Sequence, residues 1–504
     1  MRIVKKSGFV VLCTIVALAA CGNGSASPEP ATPVDTASVS GDVEVYVTTA
    51  TRSRDLQKDA KDFGKGSNMS PTNISLDPNT VYQEMDGFGA AITGATAYNL
   101  LQMEAGARKK FLEETFSPDK FGFSYVRISI GCSDFSVDPS EYTCCDKEGI
   151  ENFALQSEEK NYVIPVLKEI LAINPELKIM GSPWTAPRWM KVKDLKNLKP
   201  FNSWTDGYLN PKYYADYATY FVKWVEAMQS EGISIYSVTP QNEPLNRGNS
   251  ASMFMGWEQQ RDFVKVLGPA LKAAGLNTKI FVYDHNYDYS RNDNRVPDSE
   301  DDYVLKLYDD DEAAKWVEGA AYHAYGGNKS ELERVHGLRP DKGLVFTETS
   351  IGTWNDGRNL EKRLIDDMEQ IGLGTVNNWS RGVIVWNLML DFDRGPYSPA
   401  DGSCKTCYGA VDISLDYRTI TRNSHYYIIA HLSSVVKPGA VRIAAKGFTT
   451  DGLTYAAFRN TDGSYAFVAS NGQSKAQYVT ISVGTKFFSY ELPANSVVSF
   501  RWKA

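Results

Sequence analysis

Two glutamates carry the strongest chemical signal in this sequence. Glu243 lies in Thr239-Pro240-Gln241-Asn242-Glu243-Pro244 and Glu348 in Phe346-Thr347-Glu348-Thr349, each directly after a short apolar run. Comparable junctions carry Arg127 ahead of Ser133-Asp134-Phe135, Trp184 in Ser182-Pro183-Trp184-Thr185-Ala186-Pro187, Tyr325 in Tyr322-His323-Ala324-Tyr325, and Trp386-Asn387. A single loop glutamate is usually exposed and idle. Two carboxylates at one mouth, ringed by Trp, Tyr and Asn, are what cleavage of a glycosidic bond needs: an acid for the leaving oxygen and a second carboxylate acting at the anomeric carbon. Competing chemistries lack their parts. The chain has no G-x-S-x-G elbow, H-E-x-x-H pair or P-loop, and its five histidines (His285, His323, His336, His425, His431) are not spaced as ligands. His323 reads as a hydrogen-bonding support, and neither a metal nor a cofactor is expected.

For these residues to converge, the chain must bring their strand ends to one place. Eight short apolar runs, at 87–92, 124–130, 178–182, 235–239, 279–283, 319–322, 343–346 and 382–386, alternate with helical patterns such as 104–115, 161–173, 211–231, 259–274 and 359–372. This alternation predicts an α/β fold, a (β/α)8 barrel whose site lies at the C-terminal strand ends, with runs four and seven on opposite sides of the mouth. A doubly wound sheet is the alternative, but no G-x-G-x-x-G follows a strand. From residue 432 the helical period gives way to short strands at 440–445, 454–459, 465–470, 476–483, 487–492 and 496–502, an all-β module. The runs 43–49 and 74–81 are too few to be stable alone and are predicted to complete that sandwich. The expected domains are therefore N-terminal sandwich strands at 42–84, a catalytic barrel at 85–431 and a C-terminal sandwich at 432–504.

Composition narrows the partners. The 504 residues include 53 Lys+Arg against 61 Asp+Glu, a net charge of −8 without a basic block, which excludes an ordinary nucleic-acid binder and suits a neutral glycan. An aromatic content of 12% fits a protein that lays flat rings against a ligand. Arg2, Lys5 and Lys6 precede an apolar stretch at 9–20, the pattern of a signal peptide over residues 1–20. The stretch ends Leu18-Ala19-Ala20-Cys21, which resembles the lipobox of bacterial lipoproteins and implies acylation of Cys21. Residues 21–41 are rich in Gly, Ser, Pro and Thr and read as a flexible tether. The expectation is an exported monomer, lipid-anchored to a bacterial membrane on its periplasmic or outer face. Of the remaining cysteines, Cys404-Lys-Thr-Cys407 has no second pair to complete a zinc site, so a local disulfide or free thiols are expected there and at Cys132, Cys144 and Cys145. The acidic stretches at 298–302 and 309–312 lack the spacing of a calcium loop and read as solvated surface.

Four motifs in order, Asp86-Gly87-Phe88-Gly89-Ala90-Ala91, Ser182-Pro183-Trp184-Thr185-Ala186-Pro187, Thr239-Pro240-Gln241-Asn242-Glu243-Pro244 and Thr347-Glu348, resemble glycoside hydrolase family 30, which includes glucosylceramidase and related β-glycosidases. The resemblance implies a retaining mechanism with Glu243 as acid/base and Glu348 as nucleophile. It implies that Asn242 hydrogen-bonds the sugar 2-hydroxyl, that Tyr325 orients the nucleophile, and that Arg127, Trp184 and Trp386 line the subsite of the reacting sugar. Glucosylceramidase-type members carry an Asp shortly after Gly-Phe-Gly. Here Gly94 stands in that place, which is expected to leave room near the terminal sugar, and the surrounding sequence looks more like bacterial members that cleave β-1,6-glucan. An endo-β-1,6-glucanase is therefore the expected activity, ahead of a glucosylceramidase, an exo-acting β-glucosidase or β-xylosidase, or a non-catalytic glycan-binding lipoprotein.

Overall fold

The computed structural model describes residues 40–137, 140–249, 251–288, 296–400 and 402–503. The expected signal peptide, Cys21 and nearly all of the expected tether lie outside them. Eight parallel strands close a barrel: Gly87–Ala91, Tyr125–Ser129, Lys178–Ser182, Ser237–Val238, Lys279–Asn286, Gly319–His323, Gly343–Glu348 and Ser380–Asn387. All eight expected runs are strands, although the fourth keeps only two residues of ladder before the chain turns toward Glu243. The interior is packed rather than hollow, with Tyr125, Met180, Phe281, Ala321, Val345 and Ile384 meeting inside the ring.

The Asp86-Gly87-Phe88-Gly89 motif does structural work at the entry to the first strand. A Cβ on Gly89 would stand 2.1 Å from the Tyr125 carbonyl oxygen, so only glycine lets the first two strands approach. Asp86 is buried at the end of the barrel where strands begin. It is paired with Lys178 Nζ at 2.7 Å and Arg381 Nε at 3.2 Å, and accepts from the Tyr236 hydroxyl at 2.6 Å. A buried carboxylate at that end, charge-compensated by two basic side chains and far from the strand ends that face the loops, reads as stability.

The second module is one nine-stranded sheet in the order Gln57–Lys61, Val43–Thr49, Ser496–Lys503, Ser464–Asn471, Leu453–Arg459, Val441–Gly447, Asn73–Glu84, Gln477–Val483, Lys486–Leu492. The N-terminal strands sit inside it, as expected. The sheet folds onto itself: Phe488 and Tyr490 on its last strand pack on Phe500 of its third, at ring separations of 5.4 and 5.3 Å. That makes the two layers of a sandwich around Val45, Phe467, Phe500 and Trp502.

Barrel and sandwich are joined by the helix Ser424–Ser433, every residue of which is buried. His431 on that helix bonds Thr48 Oγ1 and Ser499 Oγ, both at 2.8 Å, one hydroxyl from each end of the chain. The sandwich thus holds the barrel in a fixed orientation.

Candidate active site

Glu348 is the last residue of the seventh strand, and Glu243 follows the fourth, three strands away in barrel order rather than directly opposite. Glu243 has φ +44°, a left-handed conformation that few non-glycine residues adopt. The loop holds it there. Its N–H donates to the Asp284 carbonyl at 3.0 Å, Asn242 N donates to the Pro183 carbonyl at 2.8 Å, and Gln241 Nε2 donates to the Trp184 carbonyl at 2.7 Å. Strain held in place by such surroundings is a mark of functional positions. A carboxylate oxygen of Glu243, one of Glu348 and a ring nitrogen of His323 all lie within 4.8 Å of one another.

Arg127 organises the floor. Its Nη1 donates to Glu348 Oε2 at 2.6 Å, its Nη2 to Asn242 Oδ1 at 2.6 Å and Asp284 Oδ2 at 2.7 Å, and its Nε to Ser182 Oγ at 3.2 Å. The Tyr325 hydroxyl donates to Glu348 Oε1 at 3.0 Å, so both oxygens of Glu348 are fixed. Asp284, wholly buried, also accepts from Thr239 and Thr347 hydroxyls at 2.7 Å and pairs with His323 Nε2 at 3.0 Å. Burial opposes its charge, but Arg127 and His323 outweigh burial and hold the Asp284 carboxyl far below the usual range.

His323 bridges Asp284 and Glu243, its Nδ1 lying 3.1 Å from Glu243 Oε1. Burial would lower its pKa, but the charge of Glu348 and the hydrogen bonds to Asp284 and Glu243 raise it to about 9. Glu243 responds in the opposite direction: burial pushes it up, yet the His323 hydrogen bond, the His285 and His323 charges and the Asn246 amide bring it down to about 2. In the free protein the proton shared by this pair therefore rests on His323, not on Glu243 as the acid role requires. Glu348 is pushed above the ordinary value by burial and by Glu243 and Asp284, against the pull of His323 and Arg127.

The carboxylates open into a cavity of about 470 Å³ lined by Glu243, Glu348, Tyr325, Trp386, Asp134, Asn246, Asn249 and Asn286, with Trp354 and the segment 402–407 at its rim. Of the residues expected at the site, Glu243, Glu348, Tyr325 and Trp386 face this space. Arg127, Trp184 and Asn242 stand behind it, with 0%, 2% and 4% of their surface exposed. Trp184 stacks on Trp386 at 5.3 Å, and the Arg127 guanidinium lies 5.1 and 5.4 Å from the two rings. These residues back the wall instead of lining it, because the barrel interior has no free volume at their depth.

Two acidic residues of the site were not singled out by the sequence. Asp284 lies inside the fifth strand, just past the apolar run that stops at Tyr283, so from sequence the strand looks finished three residues before its end at Asn286. Asp134 sits in the loop after the second strand and lines the cavity; burial, then the charges of Glu348 and Glu243, push its carboxyl well up. The room expected beside Gly94 is absent. A Cβ there would meet Glu158 Oε1 at 2.1 Å, so the carboxylate of Glu158 fills the space, and it is Asp134 that presents a carboxyl to the cavity. Cys404 and Cys407 form a disulfide, whereas Cys132, Cys144 and Cys145 are free and buried.

Comparison with known proteins matches both modules. Residues 85–436 match the glycosyl hydrolase family 30 TIM-barrel domain, and residues 439–500 match the glycosyl hydrolase family 30 beta sandwich domain. A solved structure of an endo-β1,6-glucanase is 62% identical, covering 92% of this chain and 100% of its own, with a TM-score of 0.89. The endo-1,6-β-D-glucanase of Trichoderma harzianum is 32% identical over 87% of this chain and 88% of its own. The lysosomal acid glucosylceramidase of Mus musculus is 27% identical over 85% of this chain and 83% of its own.

Proposed function

This chain belongs to glycosyl hydrolase family 30, and from that membership we propose that it cleaves β-1,6-linked glucan with retention of configuration at the anomeric carbon. The linkage rests on the high identity to a solved endo-β1,6-glucanase across nearly the whole chain, set against the lower identity to glucosylceramidase. The single observation that supports retention is the spacing of the two glutamates. An oxygen of each lies within 4.8 Å of the other, which favours the retaining separation of about 5–5.5 Å between carboxyl groups over the inverting one of about 6.5–9.5 Å.

Glu348, held by Arg127 and Tyr325, attacks the anomeric carbon as the bond to the leaving oxygen breaks, and forms a glycosyl ester. Glu243 supplies the proton that the leaving oxygen needs. That proton reaches Glu243 from His323 along their shared hydrogen bond, because a sugar covering Glu243 removes its water and makes the charged carboxylate costlier. In the second step Glu243 takes a proton from water, whose oxygen attacks the same carbon and releases Glu348. Asn242 is not among the residues that line the cavity, but 4% of its surface is exposed, and with Oδ1 engaged by Arg127 its amide nitrogen is the group left to donate to the sugar 2-hydroxyl. Trp386, backed by Trp184, provides the ring face for the reacting sugar.

All of these groups come from one chain, which supports action as a monomer. The lipobox-like Leu18-Ala19-Ala20-Cys21 supports a lipid anchor at Cys21, and loss of membrane association in a Cys21→Ser variant is the corresponding check. The activity is tested by incubating the purified protein with pustulan, laminarin, xylan and glucosylceramide and sizing the products. Release of β-1,6-linked oligosaccharides from pustulan is expected; cleavage of only glucosylceramide or xylan would overturn the assignment.

A further inference from the structure

Trp354 has no role in the chemistry above, yet 53% of its surface is exposed beside the catalytic cavity. Its position is built rather than incidental. The segment Ile351–Gly352 pairs antiparallel with Cys407–Tyr408, Thr353 N donates to the Thr406 carbonyl at 3.0 Å, and the Cys404–Cys407 disulfide closes the paired segment. A Cβ on Gly352 would lie 1.9 Å from the Trp354 ring, so the indole rests flat on a bare backbone. One face of the ring is thereby supported and the other is left open.

The ring stands on a divide. On one side is the cavity holding Glu243 and Glu348. On the other is a second cavity of about 320 Å³, bordered by Asn328, Lys329, Asn355, Asp366 and Gln370, and both share Tyr325 and Trp354. A supported aromatic face between a catalytic pocket and a polar hollow matches a carbohydrate chain, whose rings present C–H faces to an indole and hydroxyls to amides and charges. We propose that Trp354 is the stacking platform of a sugar subsite adjoining the scissile position, across which the glucan chain passes into the second cavity. The proposal rests on the β-1,6-glucan reading. That linkage adds a rotatable bond per residue, which lets a chain bend across the ridge.

The test compares kcat/KM of wild type, Trp354→Ala and Trp354→Phe on gentiotetraose, which fills several subsites, and on β-glucosyl fluoride, which fills only the catalytic one. Trp354→Ala is expected to lose about tenfold more on gentiotetraose than on the fluoride, mostly through KM, and Trp354→Phe to recover most of it. Equal losses on both substrates, or no loss on gentiotetraose, would overturn the subsite. A wild type that hydrolyses the fluoride but not gentiotetraose would overturn the linkage reading, and the subsite with it; that outcome is read from the wild type alone.

Discussion

Glu243 and His323 share one hydrogen bond of 3.1 Å, and the proton along it sets the pH range of the reaction. The groups facing His323 are Glu243, Asp284 and Glu348, with the rings of His285 and Tyr325 at 6.2 and 6.3 Å, and Arg127 acts through Asp284. Three carboxylates around one imidazole favour its charged form, so the pair keeps its proton until pH about 9. The basic limb of kcat/KM is therefore expected near pH 9 in wild type. In His323→Gln, Glu243 must hold the proton alone, beside Glu348 and out of water, and the limb moves down to about pH 6–7. A pH–rate profile measures this, and an unmoved limb in the variant would place the proton elsewhere. The acid limb should lie above pH 4.5, since burial and Glu243 raise Glu348 and it must ionise to attack.

At the scale of elements, the site depends on strand ends that carry charge into the barrel. Asp284 on the fifth strand compensates Arg127 on the second, and neither side chain has exposed surface. Asp284→Ala leaves a buried guanidinium short of a partner and is expected to cost about 3–5 kcal/mol, visible as a lowered midpoint in urea, as well as slowing turnover. Unchanged stability would mean that water or Glu348 fully replaces the lost carboxylate. The strands themselves were legible because apolar runs of four to seven residues alternate with helical periods. The edge strand Gln57–Lys61 was not: its sequence QKDAK has no apolar alternation, being an edge protected by charge. Motifs located Glu243, Glu348, Tyr325 and Trp386 because strand ends face the mouth. Whether Trp184 and Arg127 line the cavity or back it depends on their depth in the packed interior, which periodicity does not encode.

At the scale of the whole molecule, the chain's two ends meet in one sheet that clamps the barrel through the buried helix Ser424–Ser433. His431 at this junction is neutral, because burial lowers its pKa to about 3. Its folded pKa lies below the unfolded value, so its contribution is present above pH 6.5 and is lost as pH falls toward 3. At pH 4.5 that linkage amounts to about 2–3 kcal/mol. Burial likewise lowers His285 and His425 to about 4, and they act with the same sign, whereas His323, raised to about 9, stabilises below pH 6.5 and loses that effect as pH rises through 9. The thermal midpoint of wild type is expected to fall more between pH 7 and 4.5 than that of His431→Gln, as followed by calorimetry. Parallel curves would show that the junction does not titrate on unfolding. The sandwich was legible as an all-β tail, and its completion by N-terminal strands followed from their small number; the histidine that locks it to the barrel gave no sequence signal, because its partners Thr48 and Ser499 are separated from it by 383 and 68 residues.

The proposed hydrolysis passes through a covalent glycosyl ester on Glu348. Inactivation with 2-deoxy-2-fluoro-β-glucosyl fluoride, followed by digestion and mass spectrometry, tests it most directly. One 2-deoxy-2-fluoroglucosyl group per molecule is expected, on the peptide containing Glu348 and on that residue. A label on Glu243, or turnover of the substrate with no covalent label and an inverted first product, would contradict it.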